Sequence, residues 1–591
     1  MDYDVIVIGS GVGGLTTAAR LANLGYKVAV FEKHFIPGGY ATNFKRRGYN
    51  FDVSLHGIGG LEEGGRIHRI LSACNVMDKI QPLKNSNAYS IKLNEEIIDI
   101  PNDVNEYKEM LISRFSDEKD NIEKLFKDIL RFKNGFERLI LNKNSNFTRT
   151  LHKDFLSKYT DNEEFIRIFT ALWSYYGLPP KELSAIYYFI PWISYHIDGK
   201  YYIKGGSQQL SNSFVKSIEE SGGEVHLRSE VNKILFEDNS VQGIVLKNGN
   251  VVKAKWVVSN TSPINTMKLL PVNALKVKEA KKIQNDTIGC SLSQLYIGLK
   301  CNPSKLGIPE DEVFFCEGIS HEQDFKLALD NKYEESGFLL TNYNSMDNDL
   351  NDENKGVLTM TYIDNYDYWS KDKKTYLEQK ELVIAKMVNV LEKNYKGIKD
   401  YIEVLELGTP RTMERYTGNN RGAVYGYSQN TSQSGRFRFK KESSIKNLSF
   451  VGAWTNPGGG YEGSISGGMV EATRINKILK NMMSTEKIFV IVRFLRFFKL
   501  MRKFKSVNLI FELFKANQKI LEPETFNNYF DALYWSGIAI TTTGYGDVYP
   551  VTYIGRFIGI FSGLIGIGII AIPTGVIASS LLKKLEELKK D

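Results

Sequence analysis

Near its start the chain runs four apolar residues, Val5-Ile6-Val7-Ile8, straight into Gly9-Ser10-Gly11-Val12-Gly13-Gly14. A continuously apolar run of this length suits a strand buried on both faces of a parallel sheet. Leu15 to Leu24 reads as a helix, Gly25-Tyr26 turns, and Lys27 to Phe31 reads as a second strand ending at Glu32. Strand, glycine turn, helix, second strand and acid at this spacing form a dinucleotide-binding fingerprint. Gly9 allows the tight turn, Gly11 lets the backbone approach a pyrophosphate, and Gly13-Gly14 lead into a helix that must sit close to the strand. Glu32 is placed to accept ribose hydroxyls.

The chain has 591 residues, enough for two to four domains with sizeable cores. Four scattered cysteines, Cys74, Cys290, Cys301 and Cys316, exclude a disulfide scaffold and a clustered zinc site. The net charge of +8 is local: residues 481–520 hold nine Lys or Arg against two Glu. No nucleic-acid recognition motif accompanies that window, so nucleic acid is not an expected partner. Asp2 and Asp4 stand where a signal peptide needs a basic lead-in.

After Glu32 the sequence reads KHFIPGGYA from Lys33 and RGYNFDVSLHGIGG from Arg47. Gly38-Gly39 can bring backbone N–H groups against phosphate or a flavin edge. This arrangement resembles the amine oxidase and phytoene desaturase superfamily of flavoproteins, and within it the carotenoid isomerase and retinol saturase branch. The resemblance covers residues 1–480 and implies FAD, with Lys33, Gly38 and Gly39 among its contacts. It also implies that His56, the candidate catalytic residue, lies near the flavin. A histidine hydrogen-bonded within a loop reads equally well. Ser54 stands where that branch usually has Gly.

Residues 106–169 alternate charged and apolar positions at helical spacing. Residues 171–202 are rich in Trp and Tyr, which suits either ordinary core or the lid of an apolar tunnel. From Lys204 the nucleotide-binding fold resumes, and the resemblance places Val231 against the adenine. Residues 290–299, 357–363 and 401–405 read as strands of a second, mixed or antiparallel sheet. Arg411 and Arg415 follow, for which structural salt bridges are the simpler reading. Asn447 to Val451 is another buried strand, leading into Gly452-Ala453-Trp454 and Gly458-Gly459-Gly460. A glycine-rich strand-to-helix turn can aim N–H groups at anionic oxygens, and the resemblance assigns Gly452, Gly459 and Gly460 to the cofactor. Family members often carry an acid where Ala453-Trp454 stand.

No nucleophile triad, carboxylate pair or metal cluster stands out, which fits an enzyme whose cofactor carries the electrons. The expected function is an FAD-dependent oxidoreductase, a desaturase, saturase or redox-type isomerase. Its substrate would be a lipophilic carotenoid, retinoid or similar polyene. There is no second complete GxGxxG site, so electrons would come from a separate donor or from transient NAD(P)H.

The tail differs. In residues 488–506, Arg493, Arg496, Lys499, Arg502 and Lys505 recur every third position. The pattern resembles a voltage-sensing helix, and a basic amphipathic helix shares it. Thr542-Thr543-Gly544-Tyr545-Gly546-Asp547 resembles a potassium channel filter, whose carbonyls would replace water around K⁺ in a tetrameric ring. The uncharged run of residues 557–582 is long enough to span a bilayer. The segment between them contains Glu512, Lys515, Lys519, Glu522, Pro523 and Glu524, so the family's outer helix is missing. Expected from the tail are a lipid-membrane partner and membrane localisation with the flavoprotein portion cytoplasmic. A homotetramer is expected only if the pore assembles. The alternative function is a flavoprotein-fused potassium channel, or a flavoenzyme carrying a non-conducting remnant.

The fold class expected is α/β, a Rossmann-like FAD-binding domain with an inserted mixed α+β substrate domain and an all-α C-terminal membrane segment. FAD-binding parts are expected at 1–80, 204–285 and 441–482. A helical, aromatic region at 81–203 and a substrate domain at 286–440 lie between them. A basic helix with linker at 483–526 and a pore-like segment at 527–591 complete the order.

Overall fold

The computed structural model describes residues 1–141, 149–308, 311–352, 354–501 and scattered positions between 534 and 564. The chain divides into two units, Met1–Lys477 and Ile478–Asp591.

The apolar run at the N-terminus becomes the strand Tyr3–Ile8, central in a seven-stranded sheet. It pairs in parallel with Val28–Phe31 on one side and Val251–Ser259 on the other. Glu224–His226 and Leu448–Phe450 extend the parallel part. Val5, Ile6 and Val7 are wholly buried, as two-sided cover by helices requires. Each such side chain contributes roughly 1.5–3 kcal/mol. Val231–Glu237, Ser240–Leu246 and Val251–Ser259 continue from it as an antiparallel meander. Strands from three separate stretches of sequence thus meet in one sheet.

The second seven-stranded sheet is mixed. Ser291–Leu299 pairs antiparallel with both Gly356–Asp364 and Ile402–Gly408. Phe338–Asn342 and Glu312–Cys316 follow, and Asn87–Leu93 joins Glu312–Cys316 in parallel. Alternation along Glu312–Cys316 sends neighbours to opposite faces. Phe315 packs with the helix Lys373–Asn394, whereas Phe314 packs with the helical region of residues 104–197.

The aromatic stretch is mostly core. The helix Ala185–Ile197 buries Tyr187, Tyr188, Phe189, Trp192 and Tyr195 against Phe126, Phe155 and Phe169. Of the aromatics singled out there, Trp173 and Tyr175 line the cavity described below.

The expected membrane segment requires correction. Among the described residues, no helix is long and apolar enough to cross a membrane. The helix Tyr461–Met501 has the length, but its sequence is interrupted by Glu486, Lys487, Arg493, Arg496 and Lys499. Desolvating such charges in hydrocarbon is unfavourable. This finding overturns the all-α membrane segment of the fold class, the transmembrane helix, the lipid-membrane partner and the membrane localisation. Thr542, Thr543, Gly544, Tyr545 and Gly546 lie outside the described residues, as does most of 557–582.

Candidate active site

The glycine run closes into a cradle. Gly9 turns at φ +92°, and Gly11 caps the helix Val12–Asn23 without a side chain. That helix has no acidic residue in its first turn, so its free N–H groups have no side-chain cap. Such an end suits an anion. The glycines are required sterically. A Cβ on Gly13 would lie 2.8 Å from Gly452 Cα, and one on Gly14 would lie 2.6 Å from the Gly9 carbonyl oxygen. The side chain of Asn260 fills the centre of this cluster. Its amide would meet a Cβ on Gly11 at 2.6 Å and one on Gly452 at 2.5 Å.

Glu32 is buried at the end of its strand. Its Oε2 accepts from the Ser10 N–H and hydroxyl, each at 2.8 Å, and its Oε1 accepts from the His34 N–H at 2.8 Å. The carboxylate is thereby fixed in the cavity wall, with lone pairs remaining for a ribose. Lys33 and Val231 also line this end. Gly38, at φ +120°, bridges to Gly11, and Gly39 follows at φ +65°.

Ser54, in place of the family's glycine, is a tie. Its hydroxyl donates to the Tyr40 carbonyl at 2.8 Å and lies 2.8 Å from the Tyr461 hydroxyl. Gly452, Gly459 and Gly460 line the cavity just before the helix Tyr461–Met501. Where an acid was expected, Trp454 Nε1 donates to Asn419 Oδ1 at 2.9 Å. Arg411 donates from Nε to the Trp369 carbonyl at 2.7 Å. Arg411 and Arg415 both stand in the cavity wall.

One cavity of about 1150 Å³ joins the cradle to an apolar arm. Trp173, Tyr175, Phe314, Phe338, Leu339 and Ile363 line that arm. His56 faces it too. His56 Nδ1 lies 2.7 Å from Glu312 Oε1 and 3.2 Å from Thr341 Oγ1. Glu312 is wholly buried, and its other oxygen receives the ammonium of Lys200, which is also wholly buried. The Tyr175 hydroxyl donates to the same carboxylate at 3.0 Å. Burial alone would raise the Glu312 carboxyl, but the charges of Lys200 and His56 override it and bring it down to about 2. With Nδ1 engaged, Nε2 is the imidazole nitrogen left for the cavity.

The cradle passes the test for FAD on its own terms: close-packed glycines, an uncapped helix N-terminus and a fixed acid at the next strand end. Fold and site together define a dinucleotide-dependent redox enzyme. Residues 12–476 match the family described as flavin containing amine oxidoreductase, and the chain belongs to that family. It is an FAD-dependent oxidoreductase or isomerase, related to enzymes that act on carotenoids and retinoids.

Among curated relatives, an all-trans-retinol 13,14-reductase of Danio rerio is 26% identical over 76% of this chain and 82% of its own length. A chloroplastic prolycopene isomerase of Daucus carota is 27% identical over 80% of each chain. An oxidoreductase from Methanosarcina mazei shares the fold with a TM-score of 0.55 at 18% identity, over 79% of this chain and 99% of its own. Residues 504–583 match a family described as ion channel. Among the described residues no group of His, Cys, Asp or Glu could hold a metal.

Sequence reasoning missed Asn260, Lys200 and Glu312. The last two lie 112 positions apart, and no local pattern joins them. Asn260 carried a usable signal, because it directly follows the strand Val251–Ser259, whose last four residues are buried beside the fingerprint strand.

Proposed function

We propose that this protein adds hydrogen to, removes hydrogen from, or rearranges carbon–carbon double bonds of a lipophilic polyene of the carotenoid or retinoid kind. The observation that carries the reading is the continuity of one cavity from the glycine cradle, beside His34, to an aromatic arm faced by the imidazole of His56. Bound FAD supplies the acceptor or donor of an electron pair. The cradle at Gly9, Gly11, Gly13, Gly14, Gly38 and Gly39 would hold its phosphates, with Glu32 and Val231 at the adenosine end and Gly452, Gly459 and Gly460 at the flavin end.

The aromatic arm orients the polyene and excludes water from it. His56, held by Glu312, would give or take a proton at Nε2. For hydrogen addition or isomerisation a separate donor would supply the electrons, with NAD(P)H the natural first trial; for hydrogen removal a separate acceptor would take them. The retinol reductase and prolycopene isomerase among the relatives support the substrate class. The channel alternative has no support among the described residues, and residues 542–546, on which K⁺ binding would depend, lie outside them.

The test is turnover of all-trans-retinol and prolycopene by FAD-loaded protein, with and without a reductant. Conversion of either supports the reading. Inertness toward both, in both redox states, counts against it.

A further inference from the structure

Arg438 is 1% exposed, yet its hydrogen bonds among the described residues go only to backbone carbonyls. Nη1 donates to Tyr427 at 2.7 Å and Ser428 at 3.3 Å, and Nη2 donates to Tyr425 at 2.7 Å and Ala453 at 2.8 Å. Nε is buried without a partner, and a Cβ on Gly458 would come within 2.7 Å of it. The Tyr187 ring lies 5.6 Å from the guanidinium, and the Tyr187 hydroxyl donates to the Pro457 carbonyl at 2.8 Å. Lys441 grips the same loop, donating to the Asn456 carbonyl at 2.6 Å.

A guanidinium does not give up its proton inside a protein, so burial cannot neutralise it. Carbonyl acceptors satisfy its donors but leave the charge. In a low-dielectric interior that charge is felt well beyond its contacts. Tyr425 and Ala453 line the cavity, whereas Arg438 stands behind them. Among the described residues no carboxylate is bonded to it, so its charge is not cancelled where it meets the cavity wall.

We infer that Arg438 is a positioning residue for the cofactor: it locks segments 425–428 and 453–458 into one wall and supplies positive charge that favours the more negative, two-electron reduced form of bound FAD. This rests on the FAD reading above.

The experiment uses the full chain stripped of cofactor. It measures FAD affinity by fluorescence titration and the midpoint potential of bound FAD by dye equilibration with dithionite as reductant. Arg438→Met is expected to weaken FAD by about tenfold or more and to shift the potential to more negative values. Arg438→Lys, which keeps the charge and loses the fork, should hold the potential near that of the parent. Equal shifts in both variants, or no shift in the Met variant, would overturn the inference. If Arg438→Met does not fold, Arg438→Gln takes its place with the same expected shift, and an unmoved potential there overturns the inference. Failure of the parent protein to take up FAD would instead bring down the flavoprotein reading.

Discussion

His56 Nδ1 stands 2.7 Å from Glu312 Oε1, and the second oxygen of the same carboxylate holds the buried ammonium of Lys200. One acid therefore serves two bases, of which only His56 reaches the cavity. Glu312→Gln leaves Lys200 charged and unpaired in the interior. Urea denaturation should show a loss of about 3–5 kcal/mol. His56→Gln leaves the Lys200–Glu312 pair in place, so its stability should change by about 1 kcal/mol or less while turnover falls by about 100-fold or more. Equal stability losses in both variants would refute this division of roles.

The glycine cradle admits no side chain. Gly14→Ala places a methyl 2.6 Å from the Gly9 carbonyl oxygen, which is backbone and cannot rotate away. The variant should lose about 1–3 kcal/mol and purify without the visible absorbance of bound flavin. Retention of full flavin content at parental affinity would contradict the cradle assignment.

Two tryptophans in the aromatic stretch should behave differently. Trp192 is wholly buried in the helical core, so Trp192→Ala should cost about 3–5 kcal/mol in stability. Trp173 lines the cavity, and Trp173→Ala should raise KM for a polyene substrate. A thermal shift with Trp192→Ala no larger than with Trp173→Ala would argue for a lid rather than a core.

Asp364 is buried, accepting from Tyr333 at 2.9 Å, Trp369 at 3.0 Å and Asn331 at 2.8 Å. Burial pushes its carboxyl up to about 6, against donors that pull it down. A carboxyl raised on folding binds its proton more tightly in the native state. Its contribution is therefore greatest below about pH 4, falls as pH rises toward 6, and is level above that. The fall amounts to about 3 kcal/mol. Asp364→Asn should flatten that part of the stability–pH curve, measured by chemical denaturation at fixed pH values. A curve unchanged from the parent would show that the carboxyl ionises freely.

The fingerprint strand, the glycine turn after it and the strand at residues 290–299 were legible because each is a local pattern. Val5 to Ile8 has one burial state, and glycine spacing constrains the turn that follows. The charged network around His56 was not legible. Glu312 looks like any acid beginning a strand, and only tertiary packing brings it to Lys200. The membrane reading of the tail rested on the uncharged run of residues 557–582, most of which lies outside the described residues, and among the described residues no helix is long and apolar enough to cross a membrane. Arg438 was invisible because nothing in its neighbours announces a cation bonded only to carbonyls.

The most direct test of the central claim is product analysis of FAD-loaded protein incubated anaerobically with polyenes, in the oxidised and reduced states, by chromatography with mass detection. The account predicts a polyene changed by two hydrogens, or a geometric isomer of unchanged mass. Unaltered polyenes in both states, with hydrogen peroxide released from a primary amine in air, would contradict it.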